Sequence, residues 1–162
     1  MAPPPAVTIV PQTVIVSRYS VPGGRGACAA QRLVIVGLAT YASILVEVPA
    51  AVPEVEMDQV RIRQALANLA VNSIRAMPGG GRLTIKVKVE DDRITTDVID
   101  TGPGIEPAQL DEVFGRFVKS ADSPGSGLGL SIARGLLRAH GGDLEITASG
   151  PAGTTASMWL PR

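Results

Sequence analysis

Three groups of residues in this chain combine chemistry with spacing. Asn68, Asn72 and Arg75 stand four and three residues apart in a stretch that reads as one long helix. At roughly 100° per residue they share a stripe. Asn is a poor helix former because its amide competes for backbone hydrogen bonds, so a pair inside a helix asks for a reason. A carboxamide oxygen is a hard ligand suited to Mg²⁺, and a guanidinium suits a phosphate. A polar stripe is also what a solvated helix face shows, so this group alone leaves both readings open. In the second group, Val98-Ile99-Asp100-Thr101-Gly102-Pro103-Gly104, a carboxylate ends an apolar strand and enters a glycine loop. A carboxylate buried there needs a donor partner, such as an exocyclic amino group, although an Asp that only caps a turn would look the same. In the third, Gly125-Ser126-Gly127-Leu128-Gly129-Leu130 opens a helix, and the free N–H groups of a helix start suit phosphate. The spacing is neither the dinucleotide fingerprint nor a P-loop. A flexible, tightly packed loop is its plain alternative.

The elements that must carry these groups follow from hydrophobic periodicity and breakers. Ser43–Val48 reads as a strand ended by Pro49. Val55–Met77 reads as a helix stopped by Pro78-Gly79-Gly80-Gly81. On that helix Ile62, Leu66, Leu69, Ala70 and Ser73 lie about opposite the Asn stripe and can dock on a sheet. Arg82–Val89 alternates as a half-buried strand, Asp91-Asp92 turns, and Arg93–Asp100 returns. Pro107 starts a short helix over Ala108–Phe117. Val118–Gly125 is a short polar loop, Leu128–His140 is a helix stopped by Gly141-Gly142, and Asp143–Ala148 and Thr154–Leu160 are closing strands. This order predicts an α+β two-layer sandwich, a mixed sheet with about three helices packed on one face. Residues 1–38 read as an N-terminal extension of uncertain structure, with short strands expected at Val7–Val10 and Thr13–Val16. The domain occupies 39–162.

Composition narrows the chemistry. The chain has 162 residues, one His, one Cys and a formal net charge of zero. One Cys excludes a disulfide framework, and with one His it excludes a Cys/His zinc cluster. Zero net charge argues against nucleic-acid binding, which rests on neutralising phosphates. The content is 45% hydrophobic but only 3% aromatic, so a core must be built from Val, Ile, Leu and Ala. Leu33–Val46, the longest proline-free uncharged apolar stretch, is shorter than the ~20 residues of a bilayer helix. Met1-Ala2-Pro3-Pro4-Pro5 lacks the basic start and apolar run of a signal peptide, so a cytoplasmic location is expected.

In order and spacing, the three groups together resemble the ATP-binding catalytic domain of two-component sensor histidine kinases, in the GHKL superfamily. Asn68-Leu-Ala-Val-Asn72-Ser-Ile-Arg75 resembles the N box, and Asp100-Thr-Gly102-Pro-Gly104 the first glycine box. Phe114-Gly-Arg116-Phe117 resembles the F box. Gly125-Ser-Gly127-Leu-Gly129-Leu resembles the second glycine box, and Gly153-Thr154-Thr155 the last. Departures are Gly115, where an acidic residue is common, Ser126 for a frequent Thr, Ala76 for a frequent aromatic, and a short lid.

The resemblance implies ATP and Mg²⁺ as cofactors. Asn72 would ligate the metal, with Asn68 in support and Arg75 on phosphate. Asp100 would accept the adenine amino proton, with Thr154 beside it. Gly102 and Gly104 would admit the nucleotide. Gly125, Ser126, Gly127, Leu128 and Gly129 would line the phosphates, and Val118–Pro124 would form the lid. Superfamily members that hydrolyse ATP or phosphorylate serine resemble one another in a Glu four residues before the metal-binding Asn. Here that position is Asn68, and a carboxamide cannot act as the base. The resemblance therefore implies a histidine kinase whose acceptor histidine lies on a separate dimerisation and phosphotransfer chain, or on a missing domain, with a response regulator downstream. His140 sits at a helix end before two glycines, which reads as structural. A non-catalytic ATP-binding regulatory module is the alternative, and a GHKL ATPase or serine kinase a further one.

Overall fold

A computed structural model describes residues 29–37, 40–110, 112–115 and 129–162. The strands β1 (Ala29–Gly37), β2 (Thr40–Val48), β3 (Gly81–Val89), β4 (Arg93–Asp100), β5 (Asp143–Gly150) and β6 (Gly153–Pro161) form one sheet in the order β1-β2-β3-β4-β6-β5. Only the β2–β3 pair is parallel. The helix α1 (Gln59–Arg75) makes that crossover, as a parallel pair requires. The helix α2 (Pro107–Leu110) and the helix α3 (Gly129–Arg138) lie between β4 and β5 in the chain.

The sheet has two unlike faces because its strands alternate. Leu83, Val98, Leu144, Ala156, Met158 and Leu160 are buried beneath α1 and α3, which contribute Ile62, Ala65, Leu69, Ala133 and Leu137 to the same core. The opposite face is polar. There the Ser157 hydroxyl donates to Asp97 at 2.7 Å, and Lys88 pairs with the same carboxylate at 2.6 Å. Among the described residues, the third helix of the expected sandwich is a single turn, and none of its residues is buried.

Three boundaries differ from the sequence reading. First, α1 begins four residues later than Val55, because Asp58 caps it: its Oδ1 accepts from the N–H groups of Val60 (3.0 Å) and Arg61 (3.1 Å). Second, of the helix expected over Ala108–Phe117, the described residues are helical only through Leu110, Asp111 and residues 116–117 lying outside them. Glu112 N–H then bonds to Gln109 O at 3.0 Å and Gly115 N–H to Glu112 O at 2.7 Å, and these three-residue spacings make tight turns instead of a helix. Third, Ala29–Gly37 falls inside the segment assigned to the extension, yet pairs with β2 from Ala29 opposite Val48 to Gly37 opposite Thr40. The strands expected at Val7–Val10 and Thr13–Val16 lie outside the described residues.

No described helix is long and apolar enough to cross a membrane.

Candidate active site

The two large helices bring two of the three groups together. They run antiparallel, linked at both ends. At one end Gly129, the first residue of α3, abuts the carboxamide of Asn72. A Cβ on Gly129 would lie 3.2 Å from Asn72 Nδ2 and 3.5 Å from its Oδ1. At the other end the backbone N–H of Asp58 donates to His140 Nε2 at 3.2 Å. His140 Nδ1 lies 2.7 Å from the carbonyl of Leu136. That carbonyl can only accept, so Nδ1 carries the proton and Nε2 spends its lone pair on Asp58. Both nitrogens of the chain's one histidine are thus engaged, Nδ1 on the end of its own helix and Nε2 on the cap of α1.

The Asn stripe is not a solvated face. Asn68 and Asn72 are half-buried and Arg75 is exposed at the last turn, while Ile62, Ala65, Leu69 and Ser73 face the core. The site therefore has a carboxamide pair sheltered beside a helix start, with a cation at its rim.

Asp100 ends β4 at 5% exposure. Its Oδ1 accepts from the N–H groups of Gly102 (3.0 Å) and Thr154 (3.1 Å), while Oδ2 takes part in neither bond. That oxygen ties the first glycine loop to β6. A Cβ on Gly102 would meet Asp100 Oδ1 at 3.0 Å and the Ala76 methyl at 3.3 Å, which places the end of α1 against this loop.

Further supports surround this carboxylate, and of these the Ser149 and Thr101 hydroxyls were not singled out in the sequence. Gly153 has φ +129°, and a Cβ there would come 1.8 Å from Asp100 O. The Ser149 hydroxyl accepts from Ile105 N–H at 2.7 Å and lies 3.4 Å from Thr154 Oγ1, which links the glycine loop to the β5–β6 turn. The Thr101 hydroxyl accepts from Arg82 N–H at 3.0 Å and contacts Met77 Sδ at 3.5 Å, fastening the loop to β3 and to the end of α1. Gly104, expected to admit a nucleotide, has φ +83° and packs on backbone. Its Cβ would fall 2.3 Å from Gly150 O. Its observed duty is to let the loop close on that turn. Gly125, Ser126, Gly127, Leu128, Arg116, Phe117 and the Val118–Pro124 connection lie outside the described residues.

The chain matches the family described as histidine kinase-, DNA gyrase B-, and HSP90-like ATPase over residues 57–162. It belongs to that family. It is 31% identical over 109 residues to the sensor histidine kinase ZraS of Escherichia coli (strain K12), covering 67% of this chain and 23% of that protein. It is 36% identical over 114 residues to the sensor histidine kinase WalK of Bacillus subtilis (strain 168), covering 66% of this chain and 19% of that one. The chain thus spans about a fifth of the length of these relatives. Among solved structures it is similar to a mycobacterial sensor histidine kinase, MprB (TM-score 0.60, 34% identity, 66% of this chain and 76% of that one). It is also similar to the nucleotide-free catalytic domain of histidine kinase ThkA (TM-score 0.57, 31% identity, 66% and 71%). Full-length ShkA, solved in complex with AMPPNP, matches with TM-score 0.57 and 33% identity over 67% of this chain and 22% of that one. The expected α+β fold is that of these catalytic domains, and family membership supports ATP use.

The donor set fits a nucleotide with one magnesium ion. Among the described residues no group of three or more His, Cys, Asp or Glu gathers to hold a metal. Mg²⁺ keeps several waters and takes few protein ligands beside substrate phosphates, so a single carboxamide facing a helix start is a suitable contribution.

Proposed function

We propose that this chain is the ATP-binding catalytic domain of a two-component histidine kinase, donating the γ-phosphoryl group to a histidine outside these residues. The observation that carries the reading is the contact of Asn72 with Gly129, beside Asp100 with one oxygen free of its backbone bonds. Asp100 Oδ2 would accept the adenine amino proton, with Thr154 and Gly102 holding the carboxylate in place. Asn72 would hold Mg²⁺, which neutralises charge between the phosphates, with Asn68 behind it. Arg75 would meet a phosphate at the open rim. Gly125, Ser126, Gly127, Leu128 and Gly129 would offer backbone N–H groups to the phosphates, and Gly104 shapes the loop that admits the base.

In the transfer, a histidine nitrogen forms a bond to the γ-phosphorus as the bond to the bridging oxygen breaks, and ADP leaves. The histidine supplies its own lone pair, so this chain needs only to position and to stabilise charge. Asn68 stands where hydrolytic members of the superfamily carry a base, which speaks against an autonomous ATPase or a serine kinase. His140 is a poor acceptor, because its Nε2 lone pair is used by Asp58 N–H and Nδ1 donates to Leu136 O. The acceptor therefore belongs to a separate chain or a further domain, with a response regulator after it. A cytoplasmic location follows from that assignment.

Two measurements test this. Calorimetry should show Mg-ATP binding that Asn72→Ala weakens at least tenfold, and an unchanged affinity contradicts the metal assignment. Incubation with radiolabelled ATP should label a histidine-bearing helical partner and leave this chain unlabelled. ATP binding with no labelled partner would leave the non-catalytic regulatory module as the better description.

A further inference from the structure

The strand β5 is irregular near its end. Its pairing with β6 slips between Ile146, opposite Ala156, and Ala148, opposite Thr155. A bulge of this kind reverses the alternation of the residues beyond it. Thr147 lies on the polar face, with its hydroxyl 2.9 Å from that of Ser157. In a regular strand Ser149 would point the same way. Instead it stands opposite Thr154, which shares its face of β6 with the buried Ala156 and Met158. The bulge thus aims Ser149 toward the first glycine loop. Its hydroxyl accepts from the Ile105 N–H at 2.7 Å, and lies 3.4 Å from Thr154 Oγ1 and 3.5 Å from the Ile105 carbonyl.

We propose that Ser149 is a positioning residue for recognition of the nucleotide base, acting through Asp100. The inference rests on the proposed nucleotide site, in which Asp100 meets the adenine amino group. The contacts close a ring. Asp100 leads into the glycine loop, Ile105 at the end of that loop bonds to Ser149, Ser149 pairs with Thr154, and Thr154 N–H returns to Asp100 Oδ1 at 3.1 Å. Gly102 N–H reaches the same oxygen at 3.0 Å from within the ring. The carboxylate is therefore oriented by one donor from the loop and one from β6, and it stays fixed only while loop and strand keep their relative position. Gly104 lies against the Gly150 backbone, which brings the two close but supplies no directed bond. The Ser149 hydroxyl supplies one. Its removal leaves the half-buried Ile105 N–H without that acceptor. The loop then regains conformational freedom that a base held by Asp100 must again remove.

The test titrates the 162-residue chain and its variants with two magnesium nucleotides: ATP, and purine riboside triphosphate, which has hydrogen in place of the 6-amino group. Ser149→Ala should weaken ATP binding about three- to tenfold, the range of one neutral hydrogen bond. It should change the affinity for the analogue less than about twofold, since the analogue offers Asp100 no proton. Ser149→Cys, which fills nearly the same space with a weak acceptor, should match the alanine variant. Ser149→Thr keeps the hydroxyl and should bind ATP within about twofold of the wild type. In an Asp100→Asn background, Ser149→Ala should weaken ATP binding no further, because both act on one contact. The proposal is overturned if the alanine and cysteine variants weaken both nucleotides equally, as a loss of turn stability alone would, or leave both unchanged. It is overturned also if the Ser149 and Asp100 losses add, or if Ser149→Thr binds ATP no better than Ser149→Ala. Failure of the nucleotide site is a separate result: a wild-type chain that binds no ATP, or that binds ATP and the analogue alike, removes the adenine contact of Asp100 and this inference with it.

Discussion

Replacing Gly153 by alanine strikes the nucleotide end of the sheet without touching any side chain that would meet ATP. The added Cβ would lie 1.8 Å from the carbonyl oxygen of Asp100, 2.8 Å from its carbon and 3.0 Å from Thr101 Cα. Contacts shorter than 3.0 Å are not tolerated, so β6 and the end of β4 must separate by about 1.2 Å. The neighbour is backbone, and no rotamer change relieves it. A separation of that size stretches the Thr154 N–H to Asp100 Oδ1 bond, now 3.1 Å, beyond hydrogen-bond range. Losing one bond to a charged acceptor costs about 1.5–3 kcal/mol. Holding a non-glycine residue at φ +129° costs a further 1–3 kcal/mol or so. The sum, roughly 4 kcal/mol, corresponds to a fall of about 12–16 °C in melting midpoint for a domain of this size. Because Asp100 moves with its strand, ATP affinity should drop about tenfold, the equivalent of about 1.4 kcal/mol. Differential scanning calorimetry and ATP titration at 10 °C, where the variant remains folded, read the two effects separately. A midpoint within about 3 °C of wild type together with unchanged ATP affinity would refute both the clash and the coupling of Gly153 to Asp100.

Other substitutions divide structure from function. Asp100→Asn keeps an oxygen for the two backbone donors but turns the second atom into a donor facing another donor. It should melt within a few degrees of wild type and lose ATP affinity by about two orders of magnitude in titration. His140→Gln removes the Asp58 and Leu136 bonds, and should lower the midpoint by about 3–6 °C while transfer to a histidine partner proceeds unchanged. Loss of labelling in that variant would reinstate His140 as an acceptor. The Arg134 hydrogen bonds, followed by those from Arg138 and Leu144 N–H and opposed by partial burial, hold the Asp143 carboxyl well below the usual carboxylate range. A depressed native pKa makes its contribution complete above the unfolded value near pH 3.9 and lost as pH falls below it. Asp143→Asn should therefore melt lower than wild type at pH 7, with the gap nearly constant from pH 5 to 8 and shrinking below about pH 4. A gap that persists undiminished at pH 2 would contradict the ion-pair assignment.

The repeating patterns were readable before any coordinates. The alternation of Leu83, Ile85, Val87 and Val89 gave β3, Asp91-Asp92 gave the turn, and β4 spans Arg93–Asp100 as expected. Glycine and proline marked the stop of α1 to within two residues, the helix ending at Arg75 instead of Met77. What local pattern could not weigh was competition. Asp58 looks like any acidic residue in a polar run until its carboxylate is seen to cap Val60 and Arg61, which moves the start of α1 past Val55. The strand β1 has no strong alternation, and it exists as a partner to β2. The helix after Pro107 reads as continuing, but its later residues form successive tight turns.

The site divides along the same line. Sequence by itself determined the family and the residue types that matter: two carboxamides and an arginine at helical spacing, a carboxylate entering a glycine loop, and a lone histidine at a helix end. These are legible because each depends on the order of residues along a single element. Only the tertiary structure decided that Asn72 meets Gly129, that Asp100 bonds to Thr154 N–H more than fifty positions away, and that His140 joins α3 to the cap of α1. It also decided that Gly153 lies against the Asp100 backbone and that Arg134 stacks on Phe114. Such contacts join residues distant in the chain. They are fixed by the register of β4 with β6 and by the packing of α1 on α3, and neither leaves a periodic trace in the sequence.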